Sequence, residues 1–223
     1  MNGSLNKALK DINGFAVFVS AFMLMMSILT VFSQSMGMLG FVVMFGGIMP
    51  VTYIEQDRQR GWEVYERMLP VNSRQVISSK YILLIVTEAM FFVCALLGHI
   101  IGGVICKNAG GRLELPMPED ITIIDADYLK LLSFVILLSL AVSGLLIVIL
   151  YRFRNNHFIR FSSSFICIIT GVCSTLLVSN DDDFTGPLSE ISAAVLAGAL
   201  IIAAAVCIAS YLLSVKMYEK FKD

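Results

Sequence analysis

Two ionisable side chains, Glu88 and His99, interrupt the apolar stretch 81–106. Carboxyl and imidazole groups relay protons or attract cations, and burying either one in lipid costs several kcal/mol, so such groups normally face water or a protein interior. Glu88 is therefore a candidate residue of a translocation path, where its charge would attract a cationic substrate. The alternative is a protonated or hydrogen-bonded carboxyl that joins neighbouring helices.

His99 lies within Gly98-His-Ile-Ile-Gly102, a pattern of small residues four apart that permits close helix packing, and we interpret it as a packing residue. Glu88 and His99 are eleven positions apart, so they share a helix face but lie ~16 Å apart along the axis and cannot pair directly.

The five cysteines are odd in number and match no disulfide framework or zinc spacing. We expect free, buried thiols.

A different pattern occurs in the charged stretch 55–75. Trp62, Tyr65 and Leu69 are spaced i, i+3 and i+7, which puts them on one face of a short amphipathic helix. Pro70 should end that helix, because proline disfavours helix in the residue before it. The aromatic face would either lie in the lipid headgroups or dock on another protein.

A second helix is expected directly after this one. Asn72 followed by Gln75 resembles a capping box, the pattern that starts a helix by satisfying its first free N–H groups. The next apolar stretch begins near residue 81, only a few residues later. We therefore expect the third span to grow out of a helix that starts at Asn72.

Motifs for catalysis are missing from the sequence. It contains no G-x-x-x-x-G-K-[ST], which would bind ATP phosphates, and no H-E-x-x-H, G-x-S-x-G or C-x-x-C. We therefore expect no enzyme activity on this chain, and any ATP should bind to a separate subunit. Two rival interpretations work through Glu88: an intramembrane enzyme that also uses His99, and an ion- or proton-coupled carrier.

The elements that must position these residues are membrane spans. Of the 223 residues, 57% are hydrophobic and only 15% are charged, against roughly 25% charged in a soluble domain. Since a span needs ~20 apolar residues to cross ~30 Å of hydrocarbon, the sequence predicts an all-α, polytopic integral membrane protein with one domain, 1–223. Methionines of the first two spans, Met23 and Met25 among them, are expected to face lipid. The six predicted spans are about 14–33, 36–54, 81–106, 129–151, 161–179 and 190–214.

The charge distribution predicts the orientation of these spans. With six spans both termini lie on one face, and thirteen of the sixteen Lys and Arg residues lie on that face. Basic residues favour the cytoplasmic side, so both termini, the stretch 55–75 and the loop 152–160 are predicted to be cytoplasmic. Leu5, Leu9 and Ile12 would form one face of a short amphipathic N-terminal helix on the inner membrane surface.

The first cytoplasmic loop resembles that of the type-2 ATP-binding-cassette (ABC) transporter permeases. The match is to the small six-helix group that includes amphipathic-peptide exporters and bacteriocin-immunity systems. It rests on Glu55, Trp62, Tyr65, Leu69-Pro70-Val71, Arg74 and Lys80-Tyr81. The resemblance implies that 55–75 is a coupling helix, which docks on a separate ATPase subunit and passes its motion to the spans. The residues implied to contact that subunit are Glu55, Arg60, Trp62, Tyr65, Leu69, Pro70 and Arg74.

The same resemblance implies an assembly and a function. Two permease subunits, identical or paralogous, would form the pathway in the lipid bilayer of a bacterial plasma membrane, and two ATPase subunits would hold ATP and Mg²⁺. This chain itself would hold no cofactor, and we expect no nucleic-acid partner. The implied function is export of an amphipathic or antimicrobial peptide, or of another hydrophobic substrate. The loop 152–160 is either a second, smaller ATPase contact or a plain positive-inside loop.

Overall fold

The regular structure that can be described in this chain is entirely helical, as the all-α prediction requires. The computed structural model describes residues 20–29, 31, 51–62, 65, 68, 72–113, 126–153 and 192–220. Over these ranges no strand occurs. We number the main helices α1 (Ser20–Leu29), α2 (51–59), α3 (Ser73–Leu113), α4 (Ala126–Arg152) and α5 (Ala193–Lys220).

Three of these helices are long and apolar enough to cross a bilayer. The qualifying segments are Ser73–Asn108 of α3, Tyr128–Arg152 of α4 and Ala193–Lys220 of α5. They overlap the third, fourth and sixth predicted spans, and their length and composition agree with a membrane protein. The structure describes only part of the predicted spans 14–33 and 36–54. Outside the described residues lie the predicted span 161–179, the N-terminal helix and most of the loop 152–160.

Helix α3 begins where the capping pattern predicts. The side-chain oxygen of Asn72 accepts a hydrogen bond from the backbone N–H of Arg74 at 3.4 Å, and its backbone carbonyl accepts one from Gln75 at 2.9 Å. Asn72 is therefore the N-cap residue. The helix then runs without interruption into the apolar segment, so the span and the helix that precedes it are one element.

Helix α2 ends at a glycine in the left-handed region. The N–H groups of Arg60 and Gly61 donate to the carbonyls of Gln56 (3.1 Å) and Arg58 (2.9 Å), and Gly61 has φ of 70°. A glycine after the last helical turn is a common way to satisfy the terminal carbonyls, because it adopts this conformation without a Cβ clash. The predicted second span ends at residue 54, but helix α2 continues beyond that boundary. The chain then changes direction at Gly61.

Helix α1 packs along the far half of α3 in the same direction. A Cβ atom added at Gly98 would overlap the side chain of Ser27, and one added at Gly102 would lie 2.9 Å from Val31 Cγ2. The prediction that this small-residue pattern permits close helix packing is confirmed. Met23 is fully buried against Phe91 in this interface, so the expectation that it faces lipid is wrong for Met23.

Helices α4 and α5 complete the described bundle. Helix α4 runs antiparallel to α3, since Tyr128 near its start contacts Ala95 and its later residue Gly144 contacts Tyr81. Helix α5 runs parallel to α4, since Cys207 contacts Leu140 and the later residue Tyr218 packs on Tyr151. Two helices that cross a membrane in the same direction need one further span between them in the chain. The predicted span 161–179 would be that span.

The start of α3, the ends of α4 and α5, and α2 all meet at one end of the bundle. We call it the basic end, because Lys80, Arg152, Lys216 and Lys220 lie there. Four helices share one buried apolar cluster at this end, which consists of aliphatic and tyrosine side chains. Its members are Val51, Ile54, Val76, Ile77, Tyr81, Leu84, Leu146, Ile147, Leu150, Tyr151, Val215 and Tyr218.

Candidate functional site

The predicted docking residues begin directly after the turn at Gly61. Trp62 and Tyr65 are both helical, and the N–H of Tyr65 donates to the carbonyl of Gly61 at 3.3 Å. Their ring centroids are 4.9 Å apart with an interplanar angle of 41°. The structure therefore brings these two rings together on one face, as the i, i+3 spacing predicts.

The side chains of this aromatic face differ in exposure. Trp62 is partly buried, whereas Tyr65 is 50% exposed and Met68, one turn further, is 77% exposed. Large apolar side chains exposed beside one another are typical of surfaces that bind a partner or enter a membrane. The remaining predicted members, Leu69 and Pro70, lie outside the described residues.

The charged residues predicted to contact the ATPase subunit differ in their exposure. Glu55 is partly buried in α2, and its Oε2 lies 4.0 Å from Nη1 of Arg58. Arg60 is exposed at the end of α2, and Arg74 is exposed in the first turn of α3. Arg60 and Arg74 therefore flank the aromatic pair in the chain, while Glu55 faces inward.

A buried ion pair joins α2 to α3 immediately beside this site. Lys80 Nζ donates to Asp57 Oδ2, and the two residues are only 4% and 6% exposed. The ammonium group of Lys80 also lies 5.4 Å from the ring centroid of Tyr53, within the range of a cation–π contact. Because both charges are removed from water, the loss of Asp57 would leave the Lys80 ammonium without its counter-charge.

A second charged contact joins α2 to α4. Arg58 Nη2 donates to the backbone carbonyl of Leu150 at 2.9 Å, and the guanidinium lies 5.7 Å from the ring centroid of Tyr151. The last four carbonyls of a helix have no partner within it and carry partial negative charge. Arg58 thus caps the end of α4 from a different helix.

Sequence reasoning missed the roles of Asp57, Arg58, Lys80 and Met68. Arg58 counts there only toward the basic face, Lys80 counts toward the basic face and the family resemblance but not as an ion-pair partner, and nothing in the motifs distinguishes Asp57. A signal does exist in the spacing: Tyr53 and Asp57 are one helical turn apart at the boundary of an apolar stretch, where an unpaired carboxylate would be costly. The spacing cannot identify Lys80 as the partner, because that requires the packing of α2 on α3.

Glu88 lies in the middle of α3 and contacts α4. It is 1% exposed, and its Oε1 accepts a hydrogen bond of 2.6 Å from Ser139 Oγ, while Oε2 has no hydrogen-bond partner among the described residues. This is the helix-joining arrangement that the sequence left open as an alternative. The role of Glu88 in a translocation path stays a prediction.

His99 is separated from Glu88 and belongs to a different contact. Its ring stacks on Tyr128 of α4 with centroids 3.7 Å apart and an interplanar angle of 16°. The hydroxyl of Tyr128 donates to the carbonyl of Ala95 at 3.1 Å. The packing interpretation of His99 therefore agrees with the structure.

Polar side chains also line the contacts between α3, α4 and α5. Tyr81 OH lies 3.2 Å from Ser214 Oγ, and Ser78 Oγ lies 3.1 Å from Tyr211 OH. Hydrogen bonds between helices add to packing where the surroundings are apolar. Within the described ranges no three His, Cys, Asp or Glu side chains cluster as metal ligands would, and the cysteines present there are free thiols.

Comparison with known proteins gives the family of this chain. The family model described as ABC-2 family transporter protein matches residues 7–219. No curated protein and no solved structure matches the chain significantly. This family consists of membrane components without an ATPase domain of their own, which in general work with an ABC ATPase. The long apolar helices and the family match agree, and the chain belongs to the ABC-2 family of transporter permeases.

Proposed function

We propose that this permease exports an amphipathic or antimicrobial peptide, or another hydrophobic substrate, with energy from ATP that a separate ABC ATPase subunit hydrolyses. The observation that carries the proposal is the Trp62–Tyr65 pair, in which Tyr65 is half exposed, in a chain of the ABC-2 family. The preference for a peptide rests on the resemblance to the six-helix group of peptide exporters and immunity systems.

The aromatic pair suits a protein interface by its chemistry. Trp and Tyr side chains bury a large area at low conformational cost and dominate the binding energy of most protein interfaces. Arg60 and Arg74 are exposed on either side of the pair in the chain and would set the orientation of a partner. The coupling segment 55–75 would therefore bind the ATPase through Trp62, Tyr65, Leu69 and Pro70, with the charged residues at its rim.

The complete transporter needs subunits besides this chain. A second permease, identical or paralogous, would form the other half of the pathway. ATP and Mg²⁺ would bind to the ATPase subunits. Both termini and the coupling segment would then lie on the cytoplasmic side of a bacterial plasma membrane, as the distribution of Lys and Arg predicts.

The docking proposal is tested by copurification. Tagged wild-type protein and the Trp62→Ala/Tyr65→Ala variant are purified in mild detergent, and the copurifying proteins are identified by mass spectrometry. Removing two aromatic anchors should cost about 2 kcal/mol or more each, so the ATPase should be lost from the variant. The Ile201→Ala/Ile202→Ala variant is the matched control, because these two side chains of α5 are also exposed (68% and 64%) but are apolar and lie within a span. Absence of an ATPase from the wild type would contradict the proposal.

The substrate is tested separately in inside-out proteoliposomes. A fluorescent amphipathic cationic peptide is added outside with ATP, together with the purified permease–ATPase complex in the bilayer. Uptake that requires ATP supports peptide export. Uptake of a fluorescent lipid or drug in place of the peptide would retain the ABC exporter and replace only its substrate class.

A second candidate function is an ion- or proton-coupled carrier that works through Glu88. The observation in its favour is the buried Oε2 atom of Glu88, which has no hydrogen-bond partner among the residues described. Transport that follows a proton gradient and is insensitive to ATP depletion would support this candidate. An intramembrane enzyme using Glu88 and His99 has less support, since His99 stacks on Tyr128 and is remote from Glu88.

A further inference from the structure

Two adjacent charged residues at the end of α2 contact different helices: Asp57 binds Lys80 of α3, and Arg58 binds the end of α4 at Leu150. We propose that Asp57 and Arg58 are positioning residues that pass movement of the residues around Trp62 and Tyr65, which we call the docking segment, separately to α3 and α4. This inference rests on the proposed function, because the movement originates in an ATPase bound at Trp62.

The docking segment is connected to α2 by consecutive backbone hydrogen bonds. Gly61 donates to Arg58 at 2.9 Å, and the carbonyl of Gly61 accepts from Tyr65 at 3.3 Å. The change of direction at Gly61 therefore lies between two hydrogen-bonded turns. A force applied to the Trp62–Tyr65 pair would displace the end of α2, where Asp57 and Arg58 lie.

The bond from Asp57 to Lys80 is suited to carry that displacement to α3. The pair is buried, so salt screens it weakly and water does not compete for its charges. Separating the charges would remove the counter-charge of the buried Lys80 ammonium, which is strongly unfavourable. Because Lys80 belongs to the first turns of α3, the start of that helix is expected to move with α2.

The hydrogen bond from Arg58 to the carbonyl of Leu150 is suited to carry the displacement of α2 to α4. The carbonyl of Leu150 belongs to the last turn of the helix, and the carbonyl of Ile149 beside it accepts from Phe153 at 2.9 Å. Arg58 therefore supplies a charged donor to a carbonyl in the last turn of α4, where helix carbonyls commonly need partners from outside the helix. The apolar cluster at the basic end also joins these helices, but apolar contacts have no directional preference and allow packed helices to slide.

The test is hydrogen–deuterium exchange of the purified permease–ATPase complex, with and without ATP plus vanadate. In the wild type, the nucleotide is expected to change exchange over both 73–80 and 146–153. The Asp57→Asn variant should lose the change over 73–80 and keep it over 146–153. The Arg58→Ala variant should show the reverse, and Arg58→Lys, which retains a charged donor, should restore the response.

Matched controls and a second variant keep the test decisive. Glu219→Gln and Lys216→Gln remove an exposed carboxylate and an exposed amine of α5, and neither should alter the response. If Asp57→Asn fails to fold, the exchanged pair Asp57→Lys/Lys80→Asp should fold and restore the response over 73–80. A purely structural role would raise exchange in both segments equally without nucleotide.

The outcomes separate this inference from the proposed function. If the ATPase copurifies and the wild type responds to nucleotide, but the two variants affect both segments alike or neither, the inference is overturned and the proposed function stands. If no ATPase copurifies with the wild type, the proposed function fails and this inference fails with it.

Discussion

The two halves of α3 are held in the bundle by different kinds of contact. Near the basic end, Lys80 forms a buried ion pair with Asp57, and the hydroxyl of Tyr81 contacts Ser214 of α5. In the far half, Gly98 and its neighbour Gly102 allow α1 to approach closely, and among the described residues no charged group takes part in that approach. One helix thus combines directional polar contacts at one end with shape complementarity at the other.

The difference indicates how one end of a span can move while its other half keeps its position. Shape complementarity between glycines and a facing helix sets a distance that resists change, because protein interiors are close-packed. Charged and hydrogen-bonded contacts specify a particular partner and can pass its displacement on. Under the proposed function, the basic end of α3 would follow the docking segment while the far half remains against α1.

The largest expected effect comes from breaking the ion pair with Asp57→Asn. This change leaves the buried Lys80 without its counter-charge and should lower the free energy of unfolding by about 3–5 kcal/mol. Denaturant titration in detergent micelles measures it. The reversed pair Asp57→Lys/Lys80→Asp should recover part of the loss, whereas an equal loss in both would show that the charges are not paired.

A smaller effect is expected at the other half of α3, from Gly98→Val. The added side chain would overlap Ser27, and overpacking of this kind costs about 1–3 kcal/mol. Gly198→Val in α5 is the control, since none of the described residues has an atom within 4 Å of a Cβ added at Gly198. The same unfolding assay compares the two variants, and equal losses would contradict the close approach of α1.

Gly61→Ala should have a still smaller effect, at the turn that follows α2. An alanine with φ of 70° is strained by about 1 kcal/mol, although no atom of the part of the chain that the structure describes lies within 4 Å of its Cβ. Gly61→Asn should cost less, because asparagine tolerates the left-handed region. Unfolding measurements on both variants check the order, and copurification of the ATPase shows whether the turn positions Trp62.

The smallest effect on stability is expected for Glu88→Gln, at the middle of α3. The amide oxygen can still accept the hydrogen bond from Ser139, so the free energy of unfolding should change by less than about 1 kcal/mol. A transport assay on the same variant distinguishes between the two roles of Glu88. Normal stability with lost transport would favour a role in the translocation path, and normal transport would favour a helix-joining role alone.

Sequence reasoning predicted much of the described fold from local signals. The apolar stretches located the spans that correspond to α3, α4 and α5, and the capping pattern at Asn72 located the start of α3. The i, i+3 spacing of Trp62 and Tyr65 predicted that their rings share a face. These features depend on hydropathy and helical periodicity, which a single sequence displays.

Contacts between residues far apart in the chain were not predicted. The partner of Asp57 is 23 positions away in sequence, and the carbonyl that Arg58 caps is 92 positions away. Helical periodicity relates residues only within one helix, so it carries no information on such pairs. The boundary of α2 was also misjudged, because hydropathy falls at residue 55 while the backbone hydrogen bonds continue to Gly61.

The sequence by itself determined that the chain enters a membrane, because its apolar stretches are long enough to span one, and it displayed an aromatic face typical of a docking helix. Only the tertiary structure decided which charges are paired, that Glu88 is bonded to Ser139 of α4, and that α2 is bonded separately to α3 and α4. The physical reason is that burial of a charge or a carboxyl is tolerable only beside a suitable partner, and the packing of separate helices determines which partner is near.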